Sequence, residues 1–239
     1  METTYRSRTP SWPASFSRKQ AGHLIASVRS DSLRVHCKRG AVHICNLYSL
    51  KTGDLFDLWS KVLKLPVVWE GQASNFEPRP EIRMTEVAPI LRHVGDQAGV
   101  SMTKWGWPGN KGPVFNYVSE DRDFSKSDRV LIPTDGFYEF TAPQPGQKRK
   151  TRWKFTVPGE PVFWIAGIVK QDAFTMLTTA PGPDIAPYHD RQVVVLPAQR
   201  GREWLDLSRP AAEILTALPA GGLCVERDFP PPEPPGLFS

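Results

Sequence analysis

Residues 129–141 read Arg-Val-Leu-Ile-Pro-Thr-Asp-Gly-Phe-Tyr-Glu-Phe-Thr. A short apolar run at 129–134, the turn pair Asp135-Gly136 and an aromatic, alternating run at 137–141 make two strand-like segments in succession. The same style extends both ways. Strand-like segments fall at 87–92, 102–107, 152–157, 162–169, 173–179 and 192–196. Turns such as Trp107-Pro108-Gly109, Pro158-Gly159 and Pro181-Gly182-Pro183 punctuate them. A short strand at 45–50 precedes a helix expected over about 54–64, with Thr52 as its N-cap and Pro66 as its stop. The stretch 65–82, with Pro78 and Pro80, reads as irregular. Two short helices are expected near 202–207 and 211–218, the second capped by Ser208. Many short strands with a few peripheral helices predict an α+β domain built on a curved, barrel-like and mostly antiparallel sheet.

The chain has 239 residues, of which 40% are apolar and 23% charged. That is a globular composition, and no run approaches the ~18 apolar residues of a membrane-spanning helix. Three cysteines, Cys37, Cys45 and Cys224, exclude a disulfide framework and form no C-x-x-C metal pair. The net charge of +5 is unevenly placed. Residues 1–44 carry eight basic and two acidic side chains, leaving twenty-two basic and twenty-three acidic ones from Cys45 onward. Net charge is therefore no argument for nucleic-acid binding by the ordered part.

The division expected is a disordered basic leader over 1–44, a catalytic domain over 45–229 without an internal linker, and a proline-rich disordered tail over 230–239. The leader lacks the apolar core of a secretory signal. Three readings of it stay open: a transit-like segment, a basic tail, or a stretch absent from the working protein, because it is cut off or because translation starts at Ile44.

Taken one at a time, the candidate residues say little. A lone Cys45 on a strand is by default a small core residue, and His189 in a loop is by default a surface group. Glu139 shares a sheet face with Phe137. If that face is inward, its pKa rises and it suits a general acid; if not, it is simply wet. Asn116 is a turn former or an orienting amide. The run Lys148-Arg149-Lys150 with Arg152, Trp153 and Lys154 can follow a phosphate backbone or be merely solvated. Trp105 and Trp107 offer two indoles to core packing or to base stacking. Nothing points to a metal or organic cofactor, since His93 and His189 lack spaced partners.

Their order along the chain is distinctive. Cys45-Asn46-Leu47-Tyr48-Ser49-Leu50 comes first, then Ile82-Arg83-Met84-Thr85-Glu86 with Ala88-Pro89-Ile90-Leu91-Arg92. Trp105-Gly106, Phe115-Asn116, Pro133-Thr134-Asp135-Gly136-Phe137-Tyr138-Glu139-Phe140 and His189-Asp190-Arg191 follow. This series resembles the SOS response-associated peptidase family, the abasic-site processing proteins, from Cys45 to about Phe229.

The resemblance implies a DNA-damage protein that binds single-stranded DNA and links covalently to its abasic sites through an N-terminal cysteine. It implies Cys45 as nucleophile, Glu139 as proton shuttle, His189 as the group assisting sugar-ring opening and Asn116 as an orienting amide. Arg191 would meet a phosphate, and Trp105 and Trp107 would contact unstacked bases. A cytoplasmic, nucleoid-associated monomer is expected. The family's peptidase label implies a second activity, a thiol autopeptidase that cuts before Cys45. A third, non-enzymatic reading is a single-stranded DNA-binding module using 148–154 and the tryptophans. The chain departs from the family pattern at Ile44, where members have Met, at Met84, where they have Pro, and at Val118, where many have Arg. Arg122 is the candidate replacement for that arginine.

Overall fold

The structure is a computed structural model that describes residues 45–51, 55–71, 77–143 and 145–229. The expected leader, the tail 230–239 and Thr52 lie outside these. The chain opens with β1 (Leu47–Leu50) and helix α1 (Phe56–Leu63). The helix ends where Lys64 turns left-handed and its N–H returns to Ser60 O, two residues before Pro66. The stretch expected as irregular then supplies β2 (Val67–Trp69) and β3 (Arg79–Arg83). Pro80 suggested otherwise, but β3 is an edge strand, where a missing backbone N–H is tolerated.

β4 (Val87–Val94) and β5 (Gln97–Trp105) form a long hairpin. β5 starts earlier than expected and stops at Trp105. Gly106 has φ +103°, and a Cβ there would lie 2.5 Å from the Phe115 ring. That left-handed corner takes Trp107 out of the strand.

β6 (Asn116–Val118), β7 (Asp128–Thr134), β8 (Gly136–Thr141), β9 (Thr151–Thr156), β10 (Phe163–Lys170) and β11 (Ala173–Thr179) follow. The segment 192–196 splits into β12 (Gln192–Val193) and β13 (Val195–Leu196). β12 pairs with β11 and β13 with β10, so Val194 is where the chain changes partners. Helices α2 (Gly201–Leu205) and α3 (Ala211–Ile214) are shorter than expected, and Pro210, not Ser208, stands at the start of α3. Ser208 instead donates to Asp206 Oδ1 at 2.7 Å. A last strand, β14 (Cys224–Phe229), pairs with β9. The sequence reading expects no strand here.

These strands make two sheets. The first has the order β14-β9-β8-β1-β3. The second runs β12-β11-β10-β7-β4-β5-β2, with β13 on β10 and β6 on β11. β11 also pairs parallel with β5 through Ala173↔Lys104 and Phe174↔Trp105, so hydrogen bonding closes a ring through β11, β10, β7, β4 and β5. This closure is the curved sheet expected, although two residue pairs are too short a seam for a regular barrel. Most pairings are antiparallel; those of β2 and β11 with β5, and of β6 with β11, are parallel.

The chain passes from the second sheet to the first at Asp135, between β7 and β8. The Asp135 carboxylate accepts hydrogen bonds from Ser49 Oγ and Lys51 N, while Thr134 Oγ1 donates to Ser49 O at 2.9 Å. The Asp135-Gly136 turn is thus a corner between sheets, fastened to β1. Aromatic rings fill the space between the sheets. Phe137 stacks on Phe155 and meets Phe163 edge-on, and Tyr48 meets Trp105 edge-on at 5.5 Å. Trp59 of α1 and Trp164 of β10 pack at 6.1 Å.

Gly201 opens α2 against this layer. A methyl on it would lie 2.6 Å from Trp164 Nε1 and 2.9 Å from a Leu131 methyl. The indole cannot easily withdraw, because its N–H is bonded to Ala198 O at 2.8 Å. Gly201→Ala should therefore destabilise the protein by about 1–3 kcal/mol. The check is a lower urea midpoint at an unchanged m-value.

Candidate active site

Antiparallel pairing of β1 with β8 matches Tyr48 to Phe137 and Ser49 to Gly136. Carried back past the start of β1, this register sets Asn46 across from Glu139, with Cys45 next to it. Cys45 is fully buried, and its backbone N–H donates to Glu139 Oε1 at 3.1 Å. Its thiol lies 3.6 Å from Leu47 O. Cys45 has φ +33°, a left-handed conformation that costs a non-glycine residue about 1 kcal/mol or more.

Glu139 is only 2% exposed, so the face it shares with Phe137 is the inward one. Burial pushes its pKa up to about 8; the Cys45 N–H pulls the other way, and the charge of Asp190 adds to the rise. At neutral pH the group is an acid holding its proton. Burial, and the nearby Glu139, push the Cys45 thiol well above its usual range. Both groups are thus held in their protonated forms at neutral pH.

The loop between β11 and β12 carries His189 and Asp190, and the Asp190 charge reaches Glu139. The His189 side chain is 9% exposed. Its Nδ1 accepts from Arg191 N at 3.0 Å and lies 3.0 Å from Asp190 Oδ1. Those contacts exclude one another. The first needs Nδ1 bare, and the second becomes a bond only when Nδ1 carries a proton. The Asp190 charge felt at Glu139 ties the loop to the Cys45 site.

Arg191 does not face outward. Its guanidinium makes a bidentate pair with Glu120 at 2.6 and 2.8 Å and donates to Thr178 Oγ1 at 3.2 Å. Asn116 opens β6 beside Met176 of β11, with its side-chain oxygen buried. Trp105 is a core residue. It is stacked on Phe174 at 6.1 Å, with Nε1 donating to Phe115 O at 3.0 Å, and presents no ring face to a base.

Trp107 and Arg122 meet elsewhere, in a cleft of about 520 Å³ that Tyr117 and Lys170 also line. Arg122 lies 4.2 Å above the Tyr117 ring, and Lys170 5.8 Å from the Trp107 ring centre. Asp121 and Asp123 border the same cleft. By strand alternation Tyr117 points to the opposite face of β6 from Asn116 and Val118, so this cleft and the Asn116 side chain occupy two sides of one strand. Val118 is 44% exposed. Of the basic run near 150, Arg152 is paired with Glu81 and Asp228, and Trp153 packs on Tyr188.

Two residues were missed in the sequence. Tyr48 is fully buried with no hydrogen-bond partner for its hydroxyl among the described residues, and burial raises its pKa far above the usual value. Its signal was its place three residues after Cys45. Glu120 was missed because nothing short of the fold joins it to Arg191. Among the described residues no group of three His, Cys, Asp or Glu side chains could hold a metal ion, and no helix is long and apolar enough to cross a membrane.

The fold and this site define a class. The chain belongs to the SOS response associated peptidase family, whose model matches residues 51–223. It is similar to the abasic site processing protein YoqW of Bacillus subtilis (strain 168), 28% identical over 167 residues, covering 59% of this chain and 74% of that protein. The YoqW protein of Bacillus phage SPbeta gives the same figures. Among solved structures, the fold is similar to a phage-related protein from Bordetella bronchiseptica, with TM-score 0.57 and 22% identity over 77% of this chain and 93% of that one. A protein from Bacteroides thetaiotaomicron gives TM-score 0.56 and 18% identity over 77% and 91%.

The raised Glu139 pKa carries a stability signature. Unfolded, the carboxyl ionises above about 4.5; folded, it keeps its proton to about 8. Its contribution to stability is full below the lower value and is lost as pH rises to the upper one, changing by about 1.4 kcal/mol per unit. Glu139→Gln lacks this loss. Its stability relative to wild type should rise by a few kcal/mol between pH 4.5 and 8, measured by urea unfolding at both ends.

Proposed function

We propose that this protein captures abasic sites in single-stranded DNA as a covalent thiazolidine formed by Cys45. The observation that carries this reading is the residue-45 nitrogen held 3.1 Å from a buried carboxyl that stays protonated to about pH 8. The family and the named YoqW relatives support the DNA substrate.

The chemistry needs a free amine on residue 45. The amine adds to the aldehyde of the ring-opened sugar, and Glu139 gives a proton to the leaving hydroxyl, so that water departs and an imine forms. The Cys45 sulfur then bonds to the imine carbon, and its proton passes to the Glu139 carboxylate or the ring nitrogen. The attack is intramolecular and profits from a large effective molarity. His189 delivers a proton to the sugar oxygen as the furanose opens, and Asn116 orients the reacting groups. The protein acts as a monomer on DNA in the cytoplasm, through a catalytic domain over 45–229 from which the leader 1–44 is absent.

A second activity is favoured by the left-handed backbone of Cys45. Attack of its sulfur on the Ile44 carbonyl, with Glu139 protonating the departing nitrogen, gives a thioester that water hydrolyses. This relieves the strain and frees the amine.

Protein whose first residue is shown by intact mass to be Cys45 should form a heat-stable adduct with uracil-containing single strands treated with a uracil glycosylase. Cys45→Ala should form none, and Glu139→Gln should slow adduct formation by about 10²–10⁴-fold. No Cys45-dependent band on a denaturing gel would end the reading. Loss of the leader from wild type but not from Cys45→Ala, without an adduct, would leave the autopeptidase alone.

A further inference from the structure

Arg191 carries the best-made polar contact of the site loop, with its guanidinium partly covered. Glu120, just after β6, takes both terminal nitrogens of its guanidinium at 2.6 and 2.8 Å and accepts Ala180 N at 2.8 Å. Thr178 Oγ1 takes a further N–H at 3.2 Å. Arg191 is flanked by Gln192, whose side-chain oxygen accepts Gly182 N at 2.6 Å, and by β12, paired to β11 at Thr178 and Thr179. A bidentate ion pair restricts more than a single bond does, because the planar fork fits a carboxylate in few orientations. The Arg191 backbone is therefore pinned from both sides, and with it the peptide N–H that lies 3.0 Å from His189 Nδ1.

That N–H decides where a neutral imidazole keeps its proton. With it in place, Nδ1 is an acceptor and the proton is on Nε2. Without it, Asp190 Oδ1, also 3.0 Å from Nδ1, is the acceptor at hand and draws the proton to Nδ1. Nε2 would then have nothing to donate. The charged groups beside the ring are Asp190 and the Arg191–Glu120 pair behind it, and Asp190 is in turn felt at Glu139.

We propose that Glu120 is a positioning residue for His189: by clamping Arg191 it keeps the Arg191 N–H on Nδ1 and the imidazole proton on Nε2. The clamp stands on geometry alone; only the use of the Nε2 proton, on the opening sugar, rests on the abasic-site reading. In this role Arg191 holds the loop that carries His189.

The test reads the tautomer directly. The full chain is labelled with ¹⁵N in its imidazoles, and long-range ¹⁵N–¹H correlations are recorded at about pH 9, above the ordinary imidazole range. The His189 signals are assigned by their loss in His189→Gln. Wild type should show the proton on Nε2. Glu120→Gln should shift the ratio toward Nδ1 by about tenfold, the effect of weakening one charge-assisted bond. Asp190→Ala in that background should return the proton to Nε2. Arg191→Lys, which loses the fork but keeps the charge, should shift the ratio in the same direction and decides the matter if Glu120→Gln does not fold. The proton staying on Nε2 in whichever of these variants folds overturns the inference. Adduct formation should slow about tenfold in Glu120→Gln while affinity for undamaged strand is unchanged. If wild type forms no Cys45 adduct, the abasic-site reading fails, and the tautomer result still decides the clamp.

Discussion

The four residues of β1 hold the site together. They lie between β8 and the edge strand β3 of the first sheet, and their register against β8 brings the Cys45 N–H within hydrogen-bond distance of Glu139. A slip of one residue would turn Tyr48 and Leu50 outward and carry the Cys45 nitrogen away from the carboxyl. The hydrogen bonds of Thr134 and Asp135 to Ser49 and Lys51 prevent that slip. These contacts join β1 to the corner where the chain crosses from one sheet to the other, so the active-site register and the relative placement of the two sheets are set by the same few atoms.

The aromatic layer between the sheets sets the state of the Glu139 carboxyl as well as the fold. Glu139 shares the inward face with Phe137, and Phe137 is packed between Phe155 and Phe163. A carboxyl in such surroundings has little water to stabilise its charge, and this is why it keeps its proton to about pH 8. One backbone N–H, from Cys45, is the opposing influence. The wet side of the site is Asp190, 85% exposed at its side chain. The acid therefore stands between an apolar wall and a charged, solvated loop, an arrangement suited to taking and giving a proton in turn.

Much of the fold was legible because its signals are local. Alternation and turn pairs located most of the strands, and β11 was read residue for residue as Ala173–Thr179. β2, β3 and β14 were missed for different reasons. β2 has three residues and a parallel partner about thirty positions away; β3 contains a proline; β14 runs directly into the proline-rich tail. At the site, alternation put Glu139 with Phe137 but did not say which face was inward, since that depends on what covers the sheet. The fate of Trp105, Arg191 and Arg122 was not legible either. Whether an indole or guanidinium faces solvent depends on partners such as Phe174, Glu120 and Tyr117, and these are brought alongside only by the pairing of strands or the meeting of loops.

The central place of β1 also has a consequence in time. One neighbour, β3, ends at Arg83, and the other, β8, ends at Thr141. A ribosome must deliver well over half of the chain before β1 can be enclosed on both sides, and until then the Cys45 nitrogen and sulfur are open to any enzyme that trims nascent polypeptides. Once β8 has docked, the same atoms are fully buried, and an enzyme large enough to trim a chain no longer has the access it had before.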